Sequence, residues 1–546
     1  MYIKELIYRN PLNFEYVCET NIMFYKLTIL LSFSFYLAYT QGVNTNLSSG
    51  VLFDGEPYLA LNPANPQNLV VAWMGLKLTS GQYKIAIKTR ASFDGGSTWS
   101  NIHALQHLGS GFGSADVSLA FDKNGFLYVC YIDYRQSPDS GGVYVARSSD
   151  GGLSWDTPSK AFDIYEDPIK KPIDRPWMVV DKSNTANSGT LYITTKPPSW
   201  VSPPNRNYYK VSTDSGKTWS SLANVDGGNY LIGNVIPEPM AAPAVSCNGY
   251  FCAIYPSYVS SQNVLPAFYL AKSSDKGQTF SYSTVLTTMP AQMDTNLKLG
   301  YQLITHPTDS NKMVFLSPFG QNGDPDIVAL HTADGGQSWT SPIRVNDDAL
   351  SNGKAQDMVW GSFNNQGKLV VTWRDRRNSP TSGFWNAGYE FYYAISNDNG
   401  QTFSYNQLIS SQLITFDSIL TQNGNDFMCN VFQEDTLYAA WGDNRNGKMN
   451  IYFTKILVGT NTNLEVTLLS DEKKAVHIFP NPSAEIISLY VENQYIGKKF
   501  TIFNAGGQKV LSSIVNEKNQ RIDLNQHPDG VYFIKIEAEI VKFIKN

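Results

Sequence analysis

Apolar and polar residues alternate in short runs through the middle of this chain. Tyr83-Lys84-Ile85-Ala86-Ile87-Lys88 and Val143-Tyr144-Val145-Ala146-Arg147 are examples. A period of two predicts half-buried strands. Six such runs lead into one eight-residue pattern, Ser/Thr-x-Asp-x-Gly-x-Ser/Thr-Trp/Phe. The copies start at Ser92, Ser148, Ser212, Ser273, Thr332 and Ser396, so they lie 56 to 64 residues apart. A fixed period near that length is the signature of a repeat architecture. Within each copy, Asp accepts nearby backbone N–H groups and Gly tolerates positive φ, so the pattern predicts a tight turn between two strands. The closing aromatic is expected to bury its ring against its own hairpin, worth roughly 1.5–3 kcal/mol.

The strand runs group into four-stranded units, named A to D from the centre outward. Units begin near Pro57, Asp116, Asp174, Glu238, Gly300, Gln356 and Asp426. The seventh has three strands and no copy of the turn. The unassigned stretch Val43–Phe53 is expected to supply its missing strand, which would close a ring and remove an exposed edge. Seven blades is the favoured count, with six and an irregular insertion as the alternative. Strand direction alternates, so all the Asp turns share one face. The starts of A and the ends of B share the opposite face, which is the one to search for function.

The turn pattern resembles the Asp box, or BNR repeat, of sialidases and related β-propellers, over roughly residues 50–460. The resemblance implies an all-β propeller and a secreted glycoside hydrolase acting on glycans at the channel mouth. Sialidases use three arginines on the substrate carboxylate, an Asp acid/base, and a Tyr activated by Glu. Their first arginine stands in Arg-Ile-Pro on the first blade. Here the matching place reads Asp54-Gly55-Glu56-Pro57-Tyr58, without Arg. Arg175, in Asp174-Arg175-Pro176-Trp177, is the nearest substitute.

Candidate chemistry gathers on the second face. Acidic residues recur where A strands begin, giving Glu56, Asp116, Asp174, Glu238 and Asp357 as candidate catalytic carboxylates, with Asp426 in the same series. Paired carboxylates serve as acid and base or nucleophile around a glycosidic bond. Crowding raises their pKa values, which suits a general acid. Candidate substrate contacts are Arg175, Trp177, Arg135, Arg374, Arg377 and Arg445, because Arg clamps a carboxylate bidentately and Trp offers a stacking face. The ends of B repeat an Asp-x-Arg unit at Asp133-Tyr134-Arg135, Asp375-Arg376-Arg377 and Asp443-Asn444-Arg445. Its other reading is a salt bridge that locks each loop. Tyr389-Glu390, after Trp385, could imitate the Tyr–Glu pair or simply begin a C strand. Three functions therefore stand open: a glycan hydrolase, a non-catalytic propeller that binds glycan or protein at the cell surface, and, more weakly, a polysaccharide lyase or other carbohydrate enzyme on the same scaffold.

Both ends of the chain read differently. Residues 24–42 carry one Lys and then about a dozen apolar residues, a secretory signal peptide whose natural start is Met23. Residues 459–474 read as a polar linker. From His477-Ile478-Phe479-Pro480-Asn481-Pro482 onward, the chain resembles the type A sorting domain of type IX secretion. Asn504-Ala505-Gly506-Gly507-Gln508-Lys509-Val510, Gly530-Val531-Tyr532-Phe533 and a basic tail complete the match. That resemblance implies a small Ig-like β-sandwich over 475–546, recognised by the type IX machinery, and a secreted or cell-surface protein of a Bacteroidetes-type cell. The propeller is assigned to 43–458, and residues 1–42 to a mis-called start plus the signal peptide.

Composition trims the alternatives. A net charge of −5 over 546 residues, with no basic stripe, gives no case for nucleic acid. Five Cys are too few for a disulfide scaffold. A hairpin loop between Cys247 and Cys252 could set those two opposite one another, as a disulfide or as two small buried residues. No Cys-His cluster has zinc spacing, and no cofactor motif is present. Asn322-Gly323-Asp324-Pro325-Asp326 could hold calcium but reads better as a plain turn. The mature protein is expected to be a monomer without a transmembrane segment.

Overall fold

The computed structural model describes residues 42–458 and 476–545, apart from 51–52, 80, 136, 138, 230–232, 260–264, 289–299, 321, 381–386, 416–426, 480, 482, 484 and 538. The proposed signal peptide, Asp426, Trp385 and the proposed linker lie outside the described residues. Two compact units divide at Val458/Gly459.

The first unit is a seven-bladed β-propeller. Its blades are antiparallel sheets taken in chain order. Their A strands are Asp54–Leu61, Phe112–Phe121, Asp174–Val180, Ala242–Val245, Gln302–Thr305, Gln356–Phe363 and Cys429–Gln433. These inner strands pack against one another in sequence, and the seventh packs back on the first. The ring closes as the strand count predicts. Thr45–Asn46 pairs antiparallel with Asn450–Leu457 and becomes the outer strand of blade seven. Leu47 follows it into the core at 1% exposure. Blade three has three full strands, and only a single bridge, Tyr209 to Ala223, marks its fourth. Blade four differs from expectation, because its A strand begins at Ala242 and leaves Glu238-Pro239 in the segment before it.

All six Asp boxes open on the last residue of a C strand: Ser92, Ser148, Ser212, Ser273, Thr332 and Ser396. In the first, Ser92 Oγ donates to Asp94 Oδ1 (2.8 Å) and accepts from Gly96 N (2.8 Å). Asp94 also accepts from Thr98 N (2.8 Å) and Thr98 Oγ1 (2.6 Å). Those bonds from Thr98 hold the Asp94 carboxyl down at about 2. The closing aromatic packs on its own hairpin, as Phe280 does on Tyr282 at 6.2 Å, and also reaches the preceding blade. Trp99 meets Phe453 of blade seven edge-on at 5.0 Å, and Phe280 meets Tyr209 of blade three at 5.4 Å. The box is thus a stitch between blades. Gly96 shows why Gly is needed: its φ is +83°, and a Cβ there would stand 2.6 Å from Phe453.

Cys247 and Cys252 are free thiols. Cys252 pairs with Ala244, and Cys247 sits in the turn, closed by Ser246 N to Tyr250 O at 3.0 Å. The hairpin is therefore tighter than the spacing suggested, and the two are not opposite. Asp324 and Asp326 accept protein donors: Gly353 N (2.7 Å) on Asp324, with Arg344 Nε (2.7 Å) and Asn322 Nδ2 (2.8 Å) on Asp326.

The second unit has sheets of three and four strands closing on Ile487, Leu489, Phe500, Ile502, Tyr532, Ile534 and Phe543. The basic tail is not loose. It forms the last strand, Glu539–Lys545, and Lys545 Nζ reaches Asp529 at 2.7 Å.

Candidate active site at the propeller mouth

Four A strands carry the same irregularity near their start. The ladder slips between Gly55 and Tyr58, Ala115 and Ser118, Asp174 and Trp177, and Asp357 and Trp360. In each slip, one non-glycine residue takes positive φ: Glu56 (55°), Asp116 (51°), Arg175 (49°) and Met358 (51°). Non-glycine residues avoid that region, and its recurrence marks a built feature. The bulge separates the candidate acids into two positions. Glu56 and Asp116 stand at the bulge residue itself, together with Arg175. Asp174 and Asp357 stand one residue earlier, opposite Lys196 and Arg374 on their B strands.

Those two cross-strand pairs are equivalent in position and opposite in consequence. Asp357 is fully buried and held by three guanidinium contacts. Arg374 Nε donates at 2.6 Å, a second Arg374 nitrogen also donates, and Arg376 donates at 3.1 Å. Burial opposes its charge, but Arg374 and Arg376 outweigh that and keep the carboxyl below its usual range. It is an internal ion pair. Asp174 has only Lys196 from its own blade, and Lys196 also reaches Glu238 at 2.9 Å. The Lys196 side chain is 1% exposed. The remaining capacity of Asp174 is met by Asp116 of blade two.

The Asp116 and Asp174 carboxyls lie close enough to hydrogen-bond when one of them is protonated. Asp116 is partly exposed, yet loss of solvation is the largest influence on it. Asp174 and Glu56 add repulsion, and together these push Asp116 well above the usual carboxylate range against the pull of Arg175. Asp174 is also desolvated, but Lys196, the Asp116 hydrogen bond and Arg175 bring it below its ordinary value. The backbone N–H of Arg175 donates to Asp116 Oδ2 at 3.1 Å. Two groups pushed apart in this way divide into a proton donor and a carboxylate. Glu56, Asp116, Asp174 and Glu238 therefore belong to one sector covering blades one to four.

Beside this sector lies a small cleft, with room for about one water molecule, lined by Arg175, Trp177, Tyr301, Met358, Trp360 and Phe427. Its aromatic walls are packed edge to face: Tyr58–Trp360 at 5.3 Å and Trp177–Trp360 at 6.1 Å. The Arg175 guanidinium lies 5.5 Å from the Phe427 ring centre. Tyr301 gives its hydroxyl proton to the Met240 carbonyl.

The other candidate arginines are engaged elsewhere. Arg377 holds Asp375 at 2.9 Å and Asp347 at 2.6 Å, while Arg445 holds Asp443 at 2.6 Å. These two loops show the salt-bridge lock. Blade two does not. Asp133 accepts from Leu108 N (2.7 Å) and Ser114 Oγ (2.9 Å) and meets His107 Nδ1 (3.0 Å), whereas exposed Arg135 pairs with Asp139 at 3.1 Å. Glu390 begins the C strand Glu390–Ser396 and accepts from Asn378 at 2.7 Å, while Tyr389 donates to the Gly442 carbonyl. Lys196, Tyr301, Met358 and Trp360 were not anticipated from the sequence. Lys196 could have been: it is the sixth residue of its B strand, as Arg374 is of its own.

Comparison with known proteins separates the two units. The model of the secretion system C-terminal sorting domain matches residues 477–546. That domain directs the chain to type IX secretion, and so to the cell surface or beyond. Beta-agarase A of Zobellia galactanivorans is 32% identical over 79 residues, which is 14% of this chain and 15% of that relative. Among solved structures, a Hadza microbial sialidase aligns with TM-score 0.42 and 13% identity, over 69% of this chain and 74% of its own. The intramolecular trans-sialidase of Ruminococcus gnavus gives 0.40 and 11%, over 77% and 98%. The α-L-arabinofuranosidase of Fusarium graminearum gives 0.40 and 12%, over 76% and 97%. These scores are too low to carry chemistry from those proteins to this one. Among the described residues, no helix is long and apolar enough to cross a membrane.

Proposed function

We propose that this exported propeller is a glycoside hydrolase working at the mouth opposite its Asp boxes. The carrying observation is the close pairing of the Asp116 and Asp174 carboxyls, Asp116 raised and Asp174 lowered from the ordinary range, at the edge of an aromatic cleft. Asp116 is the general acid that protonates the leaving oxygen. Asp174 cannot be the second catalytic carboxylate, because a hydrogen-bonded pair is far closer than the roughly 5–5.5 Å or 6.5–9.5 Å that the two glycosidase geometries need. Glu238 suits that role better. It and Asp174 each touch the Lys196 ammonium, which sets their oxygens at most roughly 6 Å apart. Arg175 holds the sugar by charge and hydrogen bonding, while Trp177, buried against Trp360 and Phe427, backs the wall behind it.

The second reading is a non-catalytic glycan or protein binder. It is favoured by Arg374, Arg377 and Arg445 each holding an internal carboxylate, which leaves Arg175 as the arginine in the cleft among the described residues. The same observation weighs against a three-arginine sialoside site. The test is turnover of a panel of aryl glycosides and polysaccharides, read by released aglycone or reducing ends. Hydrolysis that falls about 10²–10⁴-fold in Asp116→Asn is expected. No turnover on any substrate, with retained glycan binding, would give the second reading.

A further inference from the structure

On the face that carries the Asp boxes, each A strand turns into its B strand, and the residue opening that turn sits against the next blade. In blade one it is Asn62, in blade six Asn364 and in blade three Asp181. Both asparagines use the whole amide. Asn62 Oδ1 accepts from Ala64 N (2.9 Å), and its Nδ2 donates to Asn68 Oδ1 (3.1 Å). Asn364 Oδ1 accepts from Gln366 N (3.0 Å) and Lys368 N (2.9 Å), and its Nδ2 donates to Glu434 O (2.6 Å). Asp181 has an oxygen where they have a donor. Its Oδ1 accepts from Ser183 N at 2.8 Å, but its Oδ2, on a fully buried residue, has no hydrogen-bond partner. A bare buried carboxylate oxygen carries a free-energy cost that a donor or a cation must offset.

The atoms gathered around that oxygen are oxygens too. A Cβ built on Gly249, in the facing turn of blade four, would press on Thr185 Oγ1 and stand 2.9 Å from Ser183 Oγ and 3.0 Å from Asp181 Oδ2. Three oxygens converge on one spot. They come from every second residue, the spacing by which calcium loops aim side-chain ligands inward. Ser183 Oγ and Thr185 Oγ1 lie 2.8 Å apart, and each accepts a backbone N–H, from Thr185 (3.3 Å) and Asn187 (3.2 Å). Asn187 Nδ2 fastens the turn to blade four through Gly249 O (3.0 Å) and Ser274 O (3.3 Å). Lys123 reaches this turn at Ser183 O (3.4 Å) and not at the carboxylate. Thr185 is exposed, so the spot opens to solvent on one side.

We propose that this turn binds a calcium ion at the seam of blades three and four, held by Asp181 Oδ2, Ser183 Oγ and Thr185 Oγ1 and completed by water. Among the described residues, no three His, Cys, Asp or Glu side chains gather as a metal site. The ion is therefore held by one carboxylate among neutral oxygens. That suits the irregular oxygen shell of calcium better than octahedral magnesium, and the low charge count sets Kd at about 10⁻⁴–10⁻³ M. Extracellular calcium modules work in that range, and the sorting domain sends this chain to the cell surface or beyond. The site is independent of the mouth, which lies on the opposite face.

The experiment is thermal unfolding of the full secreted chain, stripped with EDTA and returned to CaCl2, MgCl2 or NaCl at matched ionic strength. Calcium at about 10 mM should raise Tm by roughly 1–2 °C, the shift that tenfold excess over Kd gives a unit of this size. MgCl2 and NaCl should leave Tm unmoved. Asp181→Asn should lose the calcium response and, without calcium, melt no lower than wild type, because it restores the donor found in blades one and six. Thr185→Val should shift the midpoint of the response to roughly tenfold higher calcium. A wild-type Tm indifferent to calcium would overturn the proposal and leave a buried water on Asp181. An equal response in Asp181→Asn would place calcium elsewhere and overturn it as well. An equal response to MgCl2 or NaCl would reduce the effect to charge screening, with the same consequence.

Discussion

Replacing Lys196 by Met tests the electrostatic reading of the mouth most searchingly. The Met side chain fills much of the same volume and removes only the charge. It leaves the Asp174 and Glu238 carboxylates, 22% and 13% exposed, facing one another without their shared cation. Breaking a buried ion pair from one side costs about 3–5 kcal/mol. Partial solvent access to both carboxylates places this case near the lower end, about 3 kcal/mol. The loss must depend on pH. In the wild type, the folded pKa of Asp174 is depressed, so its contribution is full above the unfolded value near about 3.9 and is lost as pH falls through the folded value. In the variant, burial dominates and the folded pKa rises above the unfolded one, so the penalty appears above about pH 4 and grows until the carboxyl titrates. Urea unfolding followed by tryptophan fluorescence should show a large deficit at about pH 8 and little at about pH 4. An equal deficit at both pH values would mean that Lys196 acts by packing alone, and the charge argument would fall.

Other consequences are independent of that one. Asp214→Ala removes an acceptor for Ser212, Lys217 and Thr218, and should cost about 1–2 kcal/mol at neutral pH while leaving mouth chemistry intact. Asp214 is held at about 2 because hydrogen bonds led by Thr218 outweigh its desolvation. The penalty should therefore fade as pH drops from about 4 toward 2, and thermal melts across that range check it. Leu47→Ala should cost about 2–5 kcal/mol in denaturant melts, because the residue is buried where the terminal strand closes the ring. A cost near zero would show that the closure contributes nothing. Arg175→Ala should abolish glycan retention and also lower Tm, because the buried guanidinium faces Asp116 and Asp174; undiminished retention would move the site elsewhere.

The blades were legible because each is built from local signals. Strand alternation, an Asp-Gly turn and a repeat period all read directly along the chain. Ring closure was legible for a negative reason: the seventh unit lacked a strand, and Val43–Phe53 had no other place. The site was legible only as a position. Acidic residues at the starts of A could be seen, but a one-residue bulge decides their roles. Glu56 and Asp116 occupy the strained residue, while Asp174 and Asp357 sit one step before it. Nothing local distinguishes those last two. The difference lies across the strand, in a lysine with one charge centre against a pair of arginines that surround a carboxylate completely. The box aromatics were legible in part: Trp99 and Phe280 also reach the preceding blade, some sixty residues or more away, and alternation carries no information about that packing.

The central claim is that the Asp116 carboxyl is harder to ionise than an ordinary carboxylate, because burial and its acidic neighbours raise it. Infrared difference spectroscopy of wild type against Asp116→Asn near pH 7 tests it without any substrate. A protonated carboxyl band in the wild type that is missing from the variant is the predicted result. Identical spectra in the carboxylic acid region, with Asp116 ionised, would contradict the account.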